Sequence, residues 1–109
     1  MSEDGRWDAV IADIRSFVDE RDWSQFHDPK NLAMAVASEA GELLSELRWI
    51  EGADSDAHCA SPEHRQAIVD EVADIAVCVL MLADRIGLDL PAAIHAKMAK
   101  NRQKYPPGS

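Results

Sequence analysis

The chain has 109 residues, 47% of them hydrophobic, and its 20 Asp and Glu outnumber 11 Lys and Arg to give a formal charge of -9. That length predicts one domain, residues 1–109, with a modest core, and the charge argues against a nucleic-acid polymer as partner, because such binding relies on clustered cations. The acidic start Met1-Ser2-Glu3-Asp4 does not resemble a secretion signal, and no apolar run approaches the roughly 20 residues that cross a bilayer; the expectation is a cytoplasmic protein without a membrane partner.

No stretch alternates with the period of a strand, so the expected class is all-α, a four-helix, bundle-like arrangement. The first helix is predicted over about Arg6 to Arg21, with Trp7, Val10, Ile11, Ile14, Phe17 and Val18 as its apolar stripe. Asp22 to His27 follows as an aromatic-rich connection. Asp28-Pro29 reads as an N-cap with proline at the first helical position, opening a second helix that ends near Glu51-Gly52. Ala53 to Ala60 lacks periodicity and is predicted to be a surface loop. Ser61-Pro62-Glu63 repeats the cap signal before a third helix that extends to Ile86 and closes at Gly87. The fourth begins around Pro91 and ends before Tyr105-Pro106-Pro107.

The second and third helices each carry a pair of acids three residues apart, Glu39-Ala-Gly-Glu42 and Glu71-Val-Ala-Asp74. Side chains at that spacing leave a helix on nearly the same face, so two such helices side by side can aim four carboxylates at one place. Either pair alone is equally at home on a solvated helix face. Their surroundings favour the site: Val36, Ala40, Leu43 and Leu44 flank the first pair, and Ile68, Val72, Ile75 and Ala76 the second. Carboxylates beside buried surface need partners, and an all-oxygen donor set suits Mg²⁺, with Mn²⁺ as an alternative. Gly41, inside the first motif, is a smaller hint of close backbone approach, with simple tolerance of a helix-interior glycine as the plainer reading. The run Ile75 to Ala83 is apolar on every side of its helix, which in so short a chain points to an interface between copies.

Lys97, Lys100, Arg102 and Lys104 form a basic segment without an acid. Opposite an acidic metal site such a segment would receive phosphate; by itself it also offsets a helix dipole. Cys59, in the predicted loop, and Cys78, in the apolar helix, read as ordinary thiols. An oxidising di-metal bundle needs Glu-x-x-His pairs, and none of His27, His58, His64 and His95 follows a glutamate by three. A non-catalytic helical oligomerisation or nucleotide-binding module remains the alternative from another class.

The pattern E-x-x-E, 28 residues, E-x-x-D resembles the metal-binding signature of the MazG-like all-α nucleoside triphosphate pyrophosphohydrolases. Arg21-Asp22-Trp23-Ser24-Gln25-Phe26-His27, Asn31-Leu32, Trp49, Leu88-Asp89-Leu90-Pro91, Lys97-Met98, Asn101-Arg102 and Lys104-Tyr105-Pro106 are similar to its dCTP pyrophosphatase branch. The resemblance implies hydrolysis of a nucleoside triphosphate, dCTP or a modified dCTP, to monophosphate and pyrophosphate in nucleotide-pool house-cleaning. It implies Glu39, Glu42, Glu71 and Asp74 as Mg²⁺ ligands and catalytic groups, with Glu39 or Glu42 positioning the attacking water. Trp23, His27, Trp49, Lys97, Asn101, Lys104 and Tyr105 would bind substrate in a homodimer or homotetramer whose sites draw on two chains. Two positions depart from the branch: Cys78 stands where a tyrosine often follows the last aspartate, and Ile14 where some members have histidine. Both bear on base and sugar preference and leave the metal ligands untouched.

Overall fold

The computed structural model describes residues 3–108; Met1, Ser2 and Ser109, and with them the first half of the acidic start, lie outside. Its helices are α1 over Glu3–Glu20, α2 over Pro29–Leu47, α3 over Gly52–Ala60, α4 over Arg65–Arg85 and α5 over Leu90–Lys104, with a 3-10 turn at Ser24–Phe26. No strand occurs among the described residues. The class is all-α as expected, but with five α-helices rather than four.

The extra helix replaces the expected surface loop. Residues 52–60 lack an apolar stripe, yet Ala53, Ala57 and Ala60 favour helix, Asp54 suits the first-turn dipole, and the Ser55 hydroxyl donates to the Gly52 carbonyl at 2.7 Å. Cys59 therefore lies in a helix. Packing against α4 and a stack of His58 on His64, with ring centroids 4.1 Å apart, holds α3 in place.

Caps set the other boundaries. Asp28 accepts the Asn31 amide at 2.8 Å, Asp89 accepts the Ala92 amide at 3.1 Å, and a proline enters the first turn of both α2 and α5. α1 ends at Glu20 and is closed by Asp22, whose φ of 55° is left-handed; the Trp23 amide reaches back to the Val18 carbonyl and the Asp22 amide to the Asp19 carbonyl, the paired bonds of a Schellman ending. Gly87 ends α4 in the same way at φ 69°, with Leu88 bonded to Ala83 and Gly87 to Asp84. α2 stops at Leu47, short of the predicted Glu51-Gly52, so Trp49 stands beyond the helix. Ser61-Pro62-Glu63 forms a turn, and its Ser61 carbonyl, rather than a side chain, accepts the amides of His64 and Arg65.

α2 and α4 lie along each other as the dominant packing of the chain, while α1 and α3 rest on α4. α5 does not pack along α2 or α4 in this manner. The buried apolar residues among those described are Val18, Leu32, Leu80 and Ala83. Of the run Ile75 to Ala83, expected to meet another copy, Leu80 and Ala83 are buried within one chain, and Val69 and Val72 before it are exposed. Gly41 is also corrected: a Cβ placed there meets nothing within 4 Å, so no backbone approaches it within the chain. No helix among the described residues is long and apolar enough to cross a membrane.

Candidate functional site

Side-by-side packing of α2 and α4 brings the two acidic motifs together. One carboxylate oxygen each from Glu39, Glu71 and Asp74 lies within 4.8 Å of the other two. Glu42 is exposed and stands outside this trio, although its charge still reaches Glu71.

Glu71 is the strained member. Its Oε2 is closed off from solvent and has no hydrogen-bond partner. Loss of hydration raises its pKa above the ordinary value, and the charges of Glu39, Asp74, Glu42 and Glu46 raise it further. A buried acceptor without a donor, facing two more carboxylates, is the electrostatic complement of a cation. The donor set is all oxygen, so the residues fit a hard divalent ion.

On α4 the acids belong to a longer stripe. Glu71, Asp74, Cys78, Met81 and Arg85 follow one another at intervals of three and four, the spacing of a single helix face. Burial raises the Cys78 thiol pKa, and Glu39 and Asp74 raise it further, so Cys78 stays a neutral thiol beside the acids. Two to three turns beyond Asp74 the stripe reaches a cavity of about 270 Å³, with Ile14 and Val18 of α1, Leu32 of α2 and Met81 of α4 as apolar walls. His27 and Arg85 add polar edges. A larger cavity of about 680 Å³ lies between the starts of α1 and α5, at Trp7, Val10, Pro91 and Ile94, and contains none of the expected site residues.

The remaining expected residues are spread out. Trp23 stacks edge-on against Phe17, centroids 5.6 Å apart, with the Arg21 guanidinium 3.8 Å from the Phe17 ring; Trp23 itself is 43% exposed. His27 is half-buried in the 270 Å³ cavity together with Ile14. Trp49 is 82% exposed, with Arg48 over its ring, so it fills no core within the chain. Asn101 is half-buried, while Lys97, Lys104 and Tyr105 are exposed on or just after α5, and Lys104 sits 5.3 Å from the Tyr105 ring. Among the described residues no carboxylate pairs with Lys97, Lys100, Arg102 or Lys104.

Sequence reasoning missed Arg15, Met81, Asp84 and Arg85. Arg15 interrupts an apolar stretch of α1 between Ile14 and Val18, and Met81 and Arg85 continue the spacing of Glu71 and Asp74, so both signals are present in the chain. The Arg15 guanidinium grips the Asp84 carboxylate from two nitrogens, Nε to Oδ2 at 2.9 Å and Nη2 to Oδ1. This bond holds Asp84 below the usual carboxylate range.

Residues 34–108 match the model of the MazG-like family. The rat protein named dCTP pyrophosphatase 1 is 40% identical over 101 residues, spanning 89% of this chain and 59% of the rat protein's length. Its human counterpart is 39% identical, with the same coverage. The chain thus spans under two thirds of the curated relatives it matches. A crystal structure of a pyrophosphatase from Archaeoglobus fulgidus superposes with a TM-score of 0.84 at 31% identity, covering 91% of each chain.

Proposed function

This chain belongs to the MazG-like family, and from that premise we propose that it hydrolyses a nucleoside triphosphate, dCTP or a modified dCTP, to the monophosphate and pyrophosphate, in a nucleotide-pool house-cleaning role in the cytoplasm. The observation that carries the reading is the meeting of Glu39, Glu71 and Asp74 around the unpartnered Oε2 of Glu71. Such a trio has little use in a scaffold, where it only costs stability.

Glu39, Glu71 and Asp74 would hold the ion, and Mg²⁺, or Mn²⁺ in its place, would supply neutralising charge for the triphosphate oxygens. Glu42, exposed beside the trio, is the carboxylate left to take the proton of the attacking water. The new bond joins that oxygen to the α-phosphorus as the bond to the bridging oxygen breaks and pyrophosphate leaves. Lys97 and Lys104, with Arg102, offset the charge of the leaving group. The base enters the cavity at Ile14, His27 and Met81; Trp23 and Trp49, which do not line that cavity within one chain, are aromatic surfaces that a partner copy would bring to it, and Asn101 and Tyr105 hold the sugar and phosphates.

Two features support a homodimer or homotetramer as the working form. One chain buries few apolar side chains and leaves Met34, Leu44 and Val72 exposed, and α5, with its cations, does not pack along the α2–α4 pair of its own chain. A partner copy would cover the first and deliver the second. The domain of residues 1–109 then acts as a unit within that assembly.

The test is a hydrolysis screen with Mg²⁺ over ordinary and modified nucleoside triphosphates, identifying both products. Monophosphate with pyrophosphate is the expected pair. A folded oligomer that binds nucleotide yet turns over none with Mg²⁺ or Mn²⁺ would replace this reading with that of a binding module.

A further inference from the structure

The Arg15–Asp84 pair sits at an unusual place. Both residues line the 270 Å³ cavity and also line a second one, of about 480 Å³, between α1 and the turn from α4 to α5. The pair is therefore a partition between two spaces. It also joins two helices whose mutual packing is less extensive than that of α2 on α4. Ile14, the residue next to Arg15, and Val18, one turn on, form the α1 wall of the smaller cavity. Where Arg15 is fixed, that wall is fixed.

The pair adds little to stability, because the Arg15 side chain is 60% exposed and solvent screens it. A guanidinium fork on a carboxylate contributes geometry instead: two parallel bonds set both distance and orientation.

We infer that Arg15 and Asp84 are positioning residues that latch α1 to α4, fix the width of the cavity walled by Ile14 and Met81, and so set which nucleobase the site accepts. This inference rests on the proposed reading that the base of a nucleoside triphosphate enters that cavity. Neither residue touches the reacting atoms; the latch acts through Ile14 and Val18.

The experiment compares kcat and KM of the full chain and of Asp84→Asn, Arg15→Lys and the swap Arg15→Asp with Asp84→Arg, for pyrimidine and purine deoxynucleoside triphosphates with Mg²⁺. Thermal midpoints and inhibition by inorganic tripolyphosphate, which lacks a base, are read in parallel. For Asp84→Asn the expected result is a KM for the preferred substrate raised about tenfold, a smaller gap between pyrimidine and purine, kcat within about twofold and unchanged tripolyphosphate inhibition. Arg15→Lys, which keeps the charge but loses the fork, should fall between, and the swap should restore discrimination. An active wild type with unchanged base discrimination in a folded Asp84→Asn variant overturns the latch alone. Parallel loss of tripolyphosphate inhibition and kcat, with discrimination intact, also overturns it, by marking a general structural role. Absence of turnover in the wild type overturns the functional reading, and the latch with it.

Discussion

A carboxylate oxygen of Glu71 on α4 lies within 4.8 Å of one on Glu39 of α2, and the Glu71 pKa is raised, first by lost hydration and then by that neighbour. The folded chain without metal therefore disfavours ionised Glu71. With the folded pKa above the unfolded one, this cost is absent below the unfolded value and grows as pH rises through the folded value. Glu71→Gln should raise the thermal midpoint of the metal-free protein at neutral pH, with the advantage vanishing in acid. Mg²⁺ is expected to raise the midpoint of the wild type, and the same variant should lose that rise. Thermal melts with chelator and with Mg²⁺ across pH check both signs; a Glu71→Gln variant that is less stable without metal would count against strain at this carboxylate.

Asp74→Asn keeps the size and helix position of Asp74 while removing a charge from the trio. Turnover should fall by about 100-fold or more, with far-ultraviolet circular dichroism unchanged. Glu42→Gln lies outside the trio and should lower kcat by a similar factor while leaving the Mg²⁺-induced rise in midpoint close to that of the wild type. Equal loss of that rise in both variants would make Glu42 a ligand rather than the proton acceptor.

The acidic motifs and their helices were legible because a three-residue spacing on an apolar-flanked helix has a direct geometric meaning. Which member of the Glu39/Glu42 pair points inward was not, since it depends on how far α2 is rotated against α4, a property of packing. α3 escaped notice because hydrophobic period is the main sequence signal for a helix, and Gly52–Ala60 is held by small residues, a serine bond and the His58–His64 stack instead. The 270 Å³ cavity draws on α1, α2 and α4 at once, so no single stretch of sequence could announce it. Asp28, Asp89 and Gly87 were readable for the opposite reason: capping chemistry is local.

Gly87 gives a direct test of that local chemistry. A Cβ at this position would meet no atom within 4 Å, and φ is 69°, so the cost of Gly87→Ala is purely one of backbone conformation. The expected loss is about 1 kcal/mol, a fall of ~5 °C in thermal midpoint, with KM and base discrimination kept if the Schellman ending survives. A larger fall would show that the turn into α5 rearranges.

Trp49 separates binding from folding. At 82% exposure beyond the end of α2 it buries little within its own chain, so Trp49→Ala removes little of the core. An indole offered to solvent is a costly choice unless something covers it, and the proposed function offers two covers to test, a nucleobase and a partner copy. If the base is the cover, Trp49→Ala should raise KM about tenfold with an unchanged thermal midpoint and an unchanged sedimentation profile. If the partner copy is the cover, the same substitution should shift the oligomer toward smaller species at a given concentration and lower the midpoint in a concentration-dependent way. Kinetics and sedimentation on one preparation decide between them, and loss of neither binding nor assembly would remove Trp49 from the site.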